Sequence, residues 1–195
     1  MKNNHYTRGT GILEGFLAQK RTAKANSLLK QVRKGRILDI GCGSYPYFLL
    51  NNNFTEKYGV DPSLKNTKLK NIKLKNLDVT KNKLPFKDNF FDAVTMLAVF
   101  EHLDHEKINF VLKEINRVLN KNGVLVITTP APWSDKILKN MARLDLVSKE
   151  EIHEHKHNYS KSKIENLIKD AGFKSNKVNS GFFEFYLNMW LMAQK

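Results

Sequence analysis

The sequence predicts an α/β fold in which helices cover both faces of a mostly parallel sheet. Short apolar runs that suit strands alternate along the chain with segments whose apolar residues recur at helical spacing. The first such run, at 36–40, passes directly into Gly41 and Gly43. Acidic residues stand at the ends or turns of the first three strands, at Asp39, Asp61 and Asp78. Parallel strands end at one edge of a sheet, so these features predict a ligand site at that edge.

Length and composition favour one globular unit, which we expect to be a single domain over residues 1–195. The chain is 41% hydrophobic and 27% charged, with no internal repeat or low-complexity linker, which excludes a disordered or fibrous class. No apolar run is long enough to span a membrane, and residues 1–30 lack a signal-peptide centre. We therefore expect a soluble cytoplasmic protein. The single cysteine, Cys42, permits no internal disulfide and suits packing in the glycine turn.

The net charge of +14 permits a polyanionic partner such as nucleic acid or anionic lipid. The alternative is a composition rich in lysine and asparagine that produces a solvated basic surface. Between Lys65 and Lys87 the lysines are interleaved with asparagines, and the arginine-rich, aromatic-interleaved pattern of RNA binders is missing. A solvated basic surface is therefore favoured over a polyanionic partner.

The first half of the chain predicts a helix, a strand and the glycine turn, followed by further strands. Apolar residues share one face of a helix at 12–31, and Gly35 ends that pattern before the first strand. A short helix follows at 47–50. The second and third strands, at 56–60 and 72–77, lead into Asp61-Pro62 and Asp78.

The second half continues the alternation. A largely apolar run at 90–98 is typical of a central strand covered on both faces. Asp104 is a suitable N-cap for a helix whose apolar stripe ends before Gly123. A strand at 124–128 and a helix within 133–146 are predicted next. A capping box of Ser162 with Glu165 begins another helix. The last two predicted elements are strands at 174–179 and 188–194.

The acidic residues are well placed for a nucleoside. Asp61 follows Gly43 by 18 residues, so its carboxylate stands beside a ligand held by the first loop and can accept hydrogen bonds from both ribose hydroxyls. Asp78 could accept one from an adenine amino group, with Val79 supplying a backbone contact. Alone, each has a local explanation, as a turn residue before Pro62 or as a cap. Together with the glycine loop they favour the ligand.

At this point the sequence resembles the class I S-adenosylmethionine-dependent methyltransferases, most closely the type 11 subgroup. The matches follow the family's order over roughly residues 36–173. They are Ile-Leu-Asp-Ile-Gly-Cys-Gly (37–43), Val-Asp-Pro (60–62), Leu-Asp-Val (77–79), Leu-Pro-Phe with Phe-Asp-Ala-Val (84–94), Glu-His-Leu (101–103), Glu-Ile-Asn-Arg-Val-Leu-Asn-Lys-Asn-Gly-Val-Leu-Val-Ile-Thr-Thr-Pro (114–130) and His-Asn-Tyr-Ser with Ala-Gly-Phe (157–173).

The resemblance implies a Rossmann-like three-layer sandwich with a seven-stranded sheet in the order 3-2-1-4-5-7-6, its last strand antiparallel. It also implies S-adenosyl-L-methionine as cofactor, no metal, and a helical lid at 1–35 over a core at 36–195, with Tyr6, Arg8 and Arg21 as lid contacts. The implied cofactor contacts are Asp39, Gly41, Cys42 and Gly43 toward the methionine part, Asp61 and Pro62 at the ribose, Asp78 and Val79 at the adenine, and the backbone of Leu97 and Ala98.

One departure from the family pattern is Ser44-Tyr45-Pro46, which stands where a third glycine is common. It leaves the exact shape of the loop open. The same proline argues against a nicotinamide dehydrogenase, which needs a third glycine for close helix–strand packing. Such an enzyme also needs a substrate domain, for which the chain is too short.

Methyl transfer from a sulfonium is an in-line displacement, so the protein supplies mainly alignment and exclusion of water. His102 is the candidate general base, with Glu101 beside it as a substrate contact; alternatively, His102 merely begins a helix. His153, His155 and His157 are too few and too poorly supported to indicate a metal site. They fit a substrate-side loop, with His157 and Tyr159 nearest the cleft.

The acceptor is predicted to be a small molecule or a cell-envelope or lipid-type compound. The aromatic stretch at 181–192 suits core packing, and a dimer or lipid-contacting surface is the alternative. A monomer or a homodimer is expected. The second hypothesis is a basic nucleic-acid-binding protein on the same fold, either an RNA methyltransferase or a regulator without turnover. Neither Asn-Pro-Pro-Tyr nor Asp-Pro-Pro-Tyr follows the fourth strand, which argues against the best-known base-amine methylation.

Overall fold

The computed structural model describes residues 13–32, 35–64, 67–69, 71–149, 152 and 159–195. Its helices are α1 (Glu14–Leu28), α2 (Tyr47–Leu50), α3 (His105–Val118), α4 (Asp135–Arg143) and α5 (Lys161–Asp170), with 3-10 turns at Phe100–His102, Pro132–Ser134 and Ser175–Lys177. Its strands are β1 (Arg36–Ile40), β2 (Glu56–Asp61), β3 (Thr67–Leu69), β4 (Ile72–Asn76), β5 (Phe91–Leu97), β6 (Leu119–Pro130), β7 (Val178–Phe183) and β8 (Asn188–Gln194).

The strands form one mixed sheet in the order β3-β4-β2-β1-β5-β6-β8-β7. The strands β4, β2, β1, β5 and β6 are parallel neighbours, whereas β8 runs antiparallel to both β6 and β7. The predicted seven-stranded order with an antiparallel last strand is therefore confirmed. One strand, β3, was not predicted. It is an antiparallel edge strand of three residues beside β4, in the short connection after β2.

Two hydrophobic layers cover the sheet because its strands alternate their side chains between faces. Leu38, Val94 and Leu125 pack on one face, with apolar side chains of α3 and α5. Their strand neighbours Ile37, Ala93 and Val126 pack on the other face, with α1 and α2. The buried apolar side chains of α3 belong to its predicted stripe and are Ile108, Val111, Leu112, Ile115 and Val118.

Several predicted boundaries differ from the observed ones. The sixth core strand, predicted at 174–179, begins at Val178, because residues 175–177 form a 3-10 turn. The N-cap of α5 is Ser160, whose hydroxyl accepts a hydrogen bond from the Lys163 amide. The predicted capping box with Ser162 is therefore wrong, and Glu165 accepts instead from the Ser180 hydroxyl at 2.5 Å. Asp104 does precede α3 as its N-cap residue.

No helix in the described ranges is long and apolar enough to cross a bilayer. Over the same residues, no cluster of three or more histidine, cysteine, aspartate or glutamate side chains could hold a metal ion. His153, His155 and His157 lie outside the described residues, as do Tyr6 and Arg8.

Candidate active site

A cavity of about 890 Å³ lies at the carboxyl ends of β1, β2 and β5. Its volume is in the range of small-molecule and cofactor sites. Ligand sites in doubly wound sheets occur at this edge. The structure brings nearly all of the predicted site residues to its wall, namely Asp39, Gly41, Cys42, Gly43, Asp61, Pro62, Asp78, Val79, Leu97, Ala98, Glu101 and His102.

The glycine turn forms a cradle on this wall. Gly41 has φ +75°, and a Cβ atom added there would stand 2.3 Å from a methyl carbon of Val99. Gly43 has φ +70°, but an added Cβ atom would contact only the Tyr45 carbonyl oxygen, at 3.9 Å. Gly41 is therefore required by packing and backbone conformation, whereas Gly43 leaves open space against which a ligand can lie.

The proline that departs from the family pattern is accommodated at the start of α2. Pro46 is buried and stands directly before the helix, where its missing N–H removes no intrahelical bond. Its carbonyl oxygen accepts a hydrogen bond from the Leu50 amide at 3.0 Å. The helix that follows, Tyr47–Leu50, is a single turn long.

Asp61 joins this loop to the end of β2. One of its carboxylate oxygens accepts a hydrogen bond from the Gly43 amide at 3.0 Å. The other accepts from the amide and the hydroxyl of Ser63, at 2.8 and 2.6 Å. Asp61 is only 3% exposed. The Asp61 carboxylate thus holds the local turn and also lines the cavity. A role in the turn and a role in ligand binding are therefore compatible.

Asp78 likewise combines a local and a cavity-facing position. Its carboxylate accepts hydrogen bonds from the Thr80 amide and hydroxyl and forms an ion pair with Lys81 at 3.1 Å. The Thr80 hydroxyl is the main cause that lowers the pKa of Asp78, which keeps the group ionised. The neighbouring Val79 also lines the cavity.

Asp39 lies buried beneath the glycine turn. Its carboxylate is 4% exposed and accepts a hydrogen bond from the Thr95 hydroxyl at 2.7 Å. Burial, with a smaller contribution from the negative charge of Asp61, raises the pKa of Asp39 to about 7 against the opposing effect of the Thr95 hydrogen bond. A positively charged ligand at the cavity would stabilise the ionised form.

The backbone turns sharply where β5 ends. Ala98 has φ +56°, a conformation rarely adopted by residues with a side chain. Its amide donates to the carbonyl oxygen of Thr128 at 2.9 Å, which holds the turn against β6. The 3-10 turn that follows carries Glu101 and His102 to the wall, and the Thr129 hydroxyl donates to the buried Glu101 carboxylate at 3.0 Å.

Two acidic residues of the wall were not predicted from the sequence, one in α1 and one in the loop between β7 and β8. The α1 residue Glu14 lines the cavity and accepts a hydrogen bond from the Ser148 amide at 2.9 Å. Arg21, predicted as a lid contact, also lines it. The loop between β7 and β8 adds Glu184 and Asn188. The only sequence signal for Glu14 and Glu184 is that each is a single acidic residue in an otherwise apolar stretch.

The structure corrects one predicted substrate contact. Tyr159 is 3% exposed, and its ring lies 5.3 Å from Phe100 and 6.0 Å from His105. The described cavity wall does not include it. The side chain belongs to the core because it packs the start of α5 against α3. His157 lies outside the described residues.

Known proteins resemble the chain in sequence. A model of the methyltransferase domain family matches residues 13–178. An uncharacterized protein of Methanocaldococcus jannaschii is 31% identical over 127 residues, 63% of this chain and 49% of that protein. The ubiquinone biosynthesis O-methyltransferase of Pelagibacter ubique is 31% identical over 121 residues, 54% of this chain and 46% of that enzyme. The chain thus spans less than half the length of these relatives.

The fold is shared with solved structures at low sequence identity. A SAM-dependent methyltransferase of Archaeoglobus fulgidus superposes with a TM-score of 0.67 and 18% identity, over 94% of this chain and all of that one. The strand order, the cavity at the carboxyl edge and the match over residues 13–178 lead to one assignment. The chain belongs to the class I S-adenosylmethionine-dependent methyltransferases, of the type 11 and type 23 kind.

Proposed function

We propose that this enzyme transfers the methyl group of S-adenosylmethionine to a small-molecule or lipid-type acceptor, which binds in the same cavity. The observation that carries the proposal is the convergence of the open Gly43 cradle with the carboxylates of Asp61 and Asp78 on one cavity wall. These groups fit a nucleoside with an amino-acid tail, since they offer hydrogen-bond acceptors beside a backbone that a ligand can approach closely. The bound cofactor supplies an electrophilic methyl group on a sulfonium.

In this proposal the cofactor is held across four strand ends. Asp61 accepts hydrogen bonds from the ribose hydroxyls beside Pro62, and Asp78 accepts one from the adenine amino group, with Val79 offering its backbone. The turn at 41–43 lies against the methionine part, whose ammonium group is stabilised by the buried charge of Asp39. The backbone of 97–98 completes the wall from β5.

The protein's contribution to the transfer is alignment and exclusion of water. We propose that residues 1–35 act as a lid on the core at 36–195. The Leu13 amide donates to the Leu146 carbonyl oxygen at 2.9 Å, so α1 is anchored beside the cavity that it helps to line. At the end of β5, His102 and Glu101 stand where they could contact the acceptor, with His102 taking a proton when the accepting atom must lose one.

Apolar residues on the cavity wall favour an acceptor that is at least partly apolar. Leu138 and Met141 of α4 lie on it together with Val147. The relative from Pelagibacter ubique is named as an O-methyltransferase of ubiquinone biosynthesis. Nucleic-acid binding on the same fold is favoured by the net charge of +14 and by a Bos taurus relative, 28% identical over 57% of this chain and 25% of that protein, that is named a probable tRNA methyltransferase. Salt-dependent binding of mixed RNA would support that alternative.

The test is isothermal titration with S-adenosylhomocysteine. Wild-type protein should bind it with a Kd of about 1–100 μM. Asp61→Ala should weaken binding at least about 100-fold, since it removes hydrogen bonds to a charged group and frees the Gly43 loop. Asp170→Ala, at an exposed position at the end of α5, is the matched control and should bind like wild type.

Two further measurements make this titration decisive. Thermal unfolding of Asp61→Ala shows whether the variant is folded, and Asp61→Asn provides a second variant of similar shape. Absence of binding heat for wild-type protein over a range of temperatures would contradict the proposal, as would wild-type affinity in both Asp61 variants.

A further inference from the structure

The loop that joins β7 to β8 holds a carboxylate on the cavity wall. Glu184, Phe185 and Tyr186 have φ values of 52°, 53° and 66°. Each costs roughly 1 kcal/mol for a residue with a side chain. The loop is held by hydrogen bonds from the Leu187 amide to the Glu184 carbonyl oxygen, at 3.0 Å, and from the Trp133 indole to the Tyr186 carbonyl oxygen, at 3.1 Å. These two hydrogen bonds hold the loop backbone and keep Glu184 at the cavity wall.

The Glu184 carboxylate has fewer partners than its burial calls for. One oxygen accepts a hydrogen bond from the Asn188 side-chain amide at 2.5 Å. The other oxygen is buried and accepts none from the described residues. A carboxylate has about four acceptor sites, and one left unsatisfied in a buried place costs about 1–3 kcal/mol. Because Glu184 lines the cavity, a rotation of its side chain would bring that oxygen to a hydrogen-bond donor or a positive charge of a ligand, which would remove this cost.

The position of Glu184 along the sheet edge separates it from the proposed cofactor groups. Asp78 and Asp61 follow β4 and β2, and the glycine turn follows β1. The strands β5 and β6 lie between β1 and β8, with Pro130 of β6 paired to Asn188. At about 4.8 Å per strand, β8 lies roughly 14 Å from β1. Glu184 thus stands on the part of the wall beyond the cofactor, where an acceptor would bind.

The charge of the wall points the same way. Among the described residues it carries two permanently basic side chains, Lys20 and Arg21, in a chain whose net charge is +14. It carries six carboxyl groups, those of Glu14, Asp39, Asp61, Asp78, Glu101 and Glu184. An anionic acceptor would be repelled by these carboxylates.

Burial raises the pKa of Glu184, which makes its carboxylate a better proton acceptor. Three groups oppose that rise. Arg21 and Lys20 of α1 act through their charge, and Asn188 acts through its hydrogen bond. From the next part of the wall, Glu101 and His102 face the same cavity.

We propose that Glu184 binds the methyl acceptor, and that the acceptor presents an N–H or O–H group at its reacting atom and is uncharged or cationic. The inference rests on the proposed function. A cationic ammonium group first gives one N–H proton to the Glu184 carboxylate, which frees the nitrogen lone pair. The lone pair of the nitrogen or oxygen then forms the bond to the methyl carbon, and the carbon–sulfur bond breaks with its electron pair on sulfur. With an uncharged acceptor the N–H or O–H proton passes to the Glu184 carboxylate during the transfer, so Glu184 acts as the base in place of His102.

The experiment uses three probes that share one apolar body and differ in the head group: 2-phenylethylamine, 4-ethylphenol and 3-phenylpropionate. Binding to protein saturated with S-adenosylhomocysteine is measured by saturation-transfer NMR. We expect the amine and the phenol to bind and the carboxylate not to bind. Glu184→Gln should weaken amine binding at least about tenfold and keep the affinity for S-adenosylhomocysteine. Glu165→Gln, which changes a glutamate on α5 that bonds Ser180 outside the cavity wall, should bind like wild type.

Three results would overturn the inference: preferential binding of 3-phenylpropionate, no binding of any probe to the loaded protein, or equal amine affinity in wild type and Glu184→Gln. Glu184→Asp, which shortens the side chain by one carbon, must weaken amine binding as well and serves if Glu184→Gln does not fold. Titration of S-adenosylhomocysteine on the same samples separates the two proposals. If wild-type protein does not bind S-adenosylhomocysteine, the proposed function is contradicted. If it binds S-adenosylhomocysteine but shows no preference among the three head groups, only the role of Glu184 is contradicted.

Discussion

Buried carboxylates occur at both edges of the sheet, but their surroundings differ. At the amino end of β5, Glu114 is paired with Arg117 through hydrogen bonds of 2.8 and 2.9 Å. Arg117 also donates to the carbonyl oxygens of Leu84 and Phe86, and Glu114 accepts from the Leu84 amide. The guanidinium is the main cause that lowers the pKa of Glu114. The charge of Glu114 is therefore neutralised within the protein.

At the carboxyl edge the carboxylates of Asp39 and Glu184 have no ion pair with any described residue. Burial raises the pKa of each. A buried charge without a counterion destabilises the protein unless a ligand supplies one. The contrast indicates that the Glu114–Arg117 pair stabilises the fold, whereas Asp39 and Glu184 form no ion pair within the described residues and remain available to a cationic ligand such as the cofactor of our proposal.

The largest expected effect is on the pH dependence of stability through Asp39. Its pKa is about 7 in the folded protein against about 4 in an unfolded chain, so the folded state binds more protons between these values. This contribution to stability is complete below about pH 4 and is lost as pH rises through about 7. The loss is up to about 4 kcal/mol. Asp39→Asn should remove this decline, as measured by urea unfolding at pH 5 and pH 8.

The control for this prediction is Asp170→Asn, at an exposed position, which should follow the wild-type pH dependence. The comparison uses the difference between each variant and wild type, because other groups titrate over the same range. If Asp39→Asn and wild type lose the same stability between the two pH values, Asp39 is ionised in the folded protein throughout that range.

The second effect is on the opposite edge. Arg117→Met keeps much of the side-chain volume but leaves Glu114 without its cation and two carbonyl oxygens without their donor. We expect a loss of about 3 kcal/mol in the free energy of unfolding near pH 7, measured with denaturant. The affinity for S-adenosylhomocysteine should not change, because Arg117 is not on the cavity wall.

Arg36→Met is the matched control, since Arg36 forms an exposed ion pair with Glu56 at 2.8 Å. Its effect should be much smaller, because solvent screens exposed pairs. An equal loss in the two variants would mean that burial does not distinguish the two arginine–glutamate pairs.

The smallest effect is expected from Thr95→Val, which removes the hydroxyl that donates to Asp39. The change should raise the pKa of Asp39 further and cost about 1 kcal/mol at pH 8. Ionised Asp39 favours the cofactor's ammonium group in our proposal, so affinity for S-adenosylhomocysteine should fall below about pH 7. In Thr95→Val this fall should begin at a higher pH than in wild type. Titrations from pH 5.5 to 8.5 test this, with the exposed Thr55→Val as control; an unchanged profile would contradict it.

Much of the fold could be predicted from local patterns. Short apolar runs identify the central strands, alternation of apolar and polar residues identifies β4, and the spacing of Ile108 to Val118 identifies α3. The elements near the carboxyl terminus were harder, because β7 is an edge strand whose pairing with β8 sets where it begins. The edge strand β3 has only three residues, too few to show a period.

The sequence by itself determined the part of the cavity wall that we propose binds the cofactor. Glycine is required where the backbone turns with positive φ, and an acidic residue at each of two strand ends meets the turn because parallel strands end at one edge. Only the tertiary structure decided the rest. Glu14 and Glu184 reach the wall because α1 and the β7–β8 loop fold back over that edge, and Tyr159 leaves it because its ring packs between α5 and α3. Contacts between residues far apart in the chain depend on packing, which a local pattern does not contain.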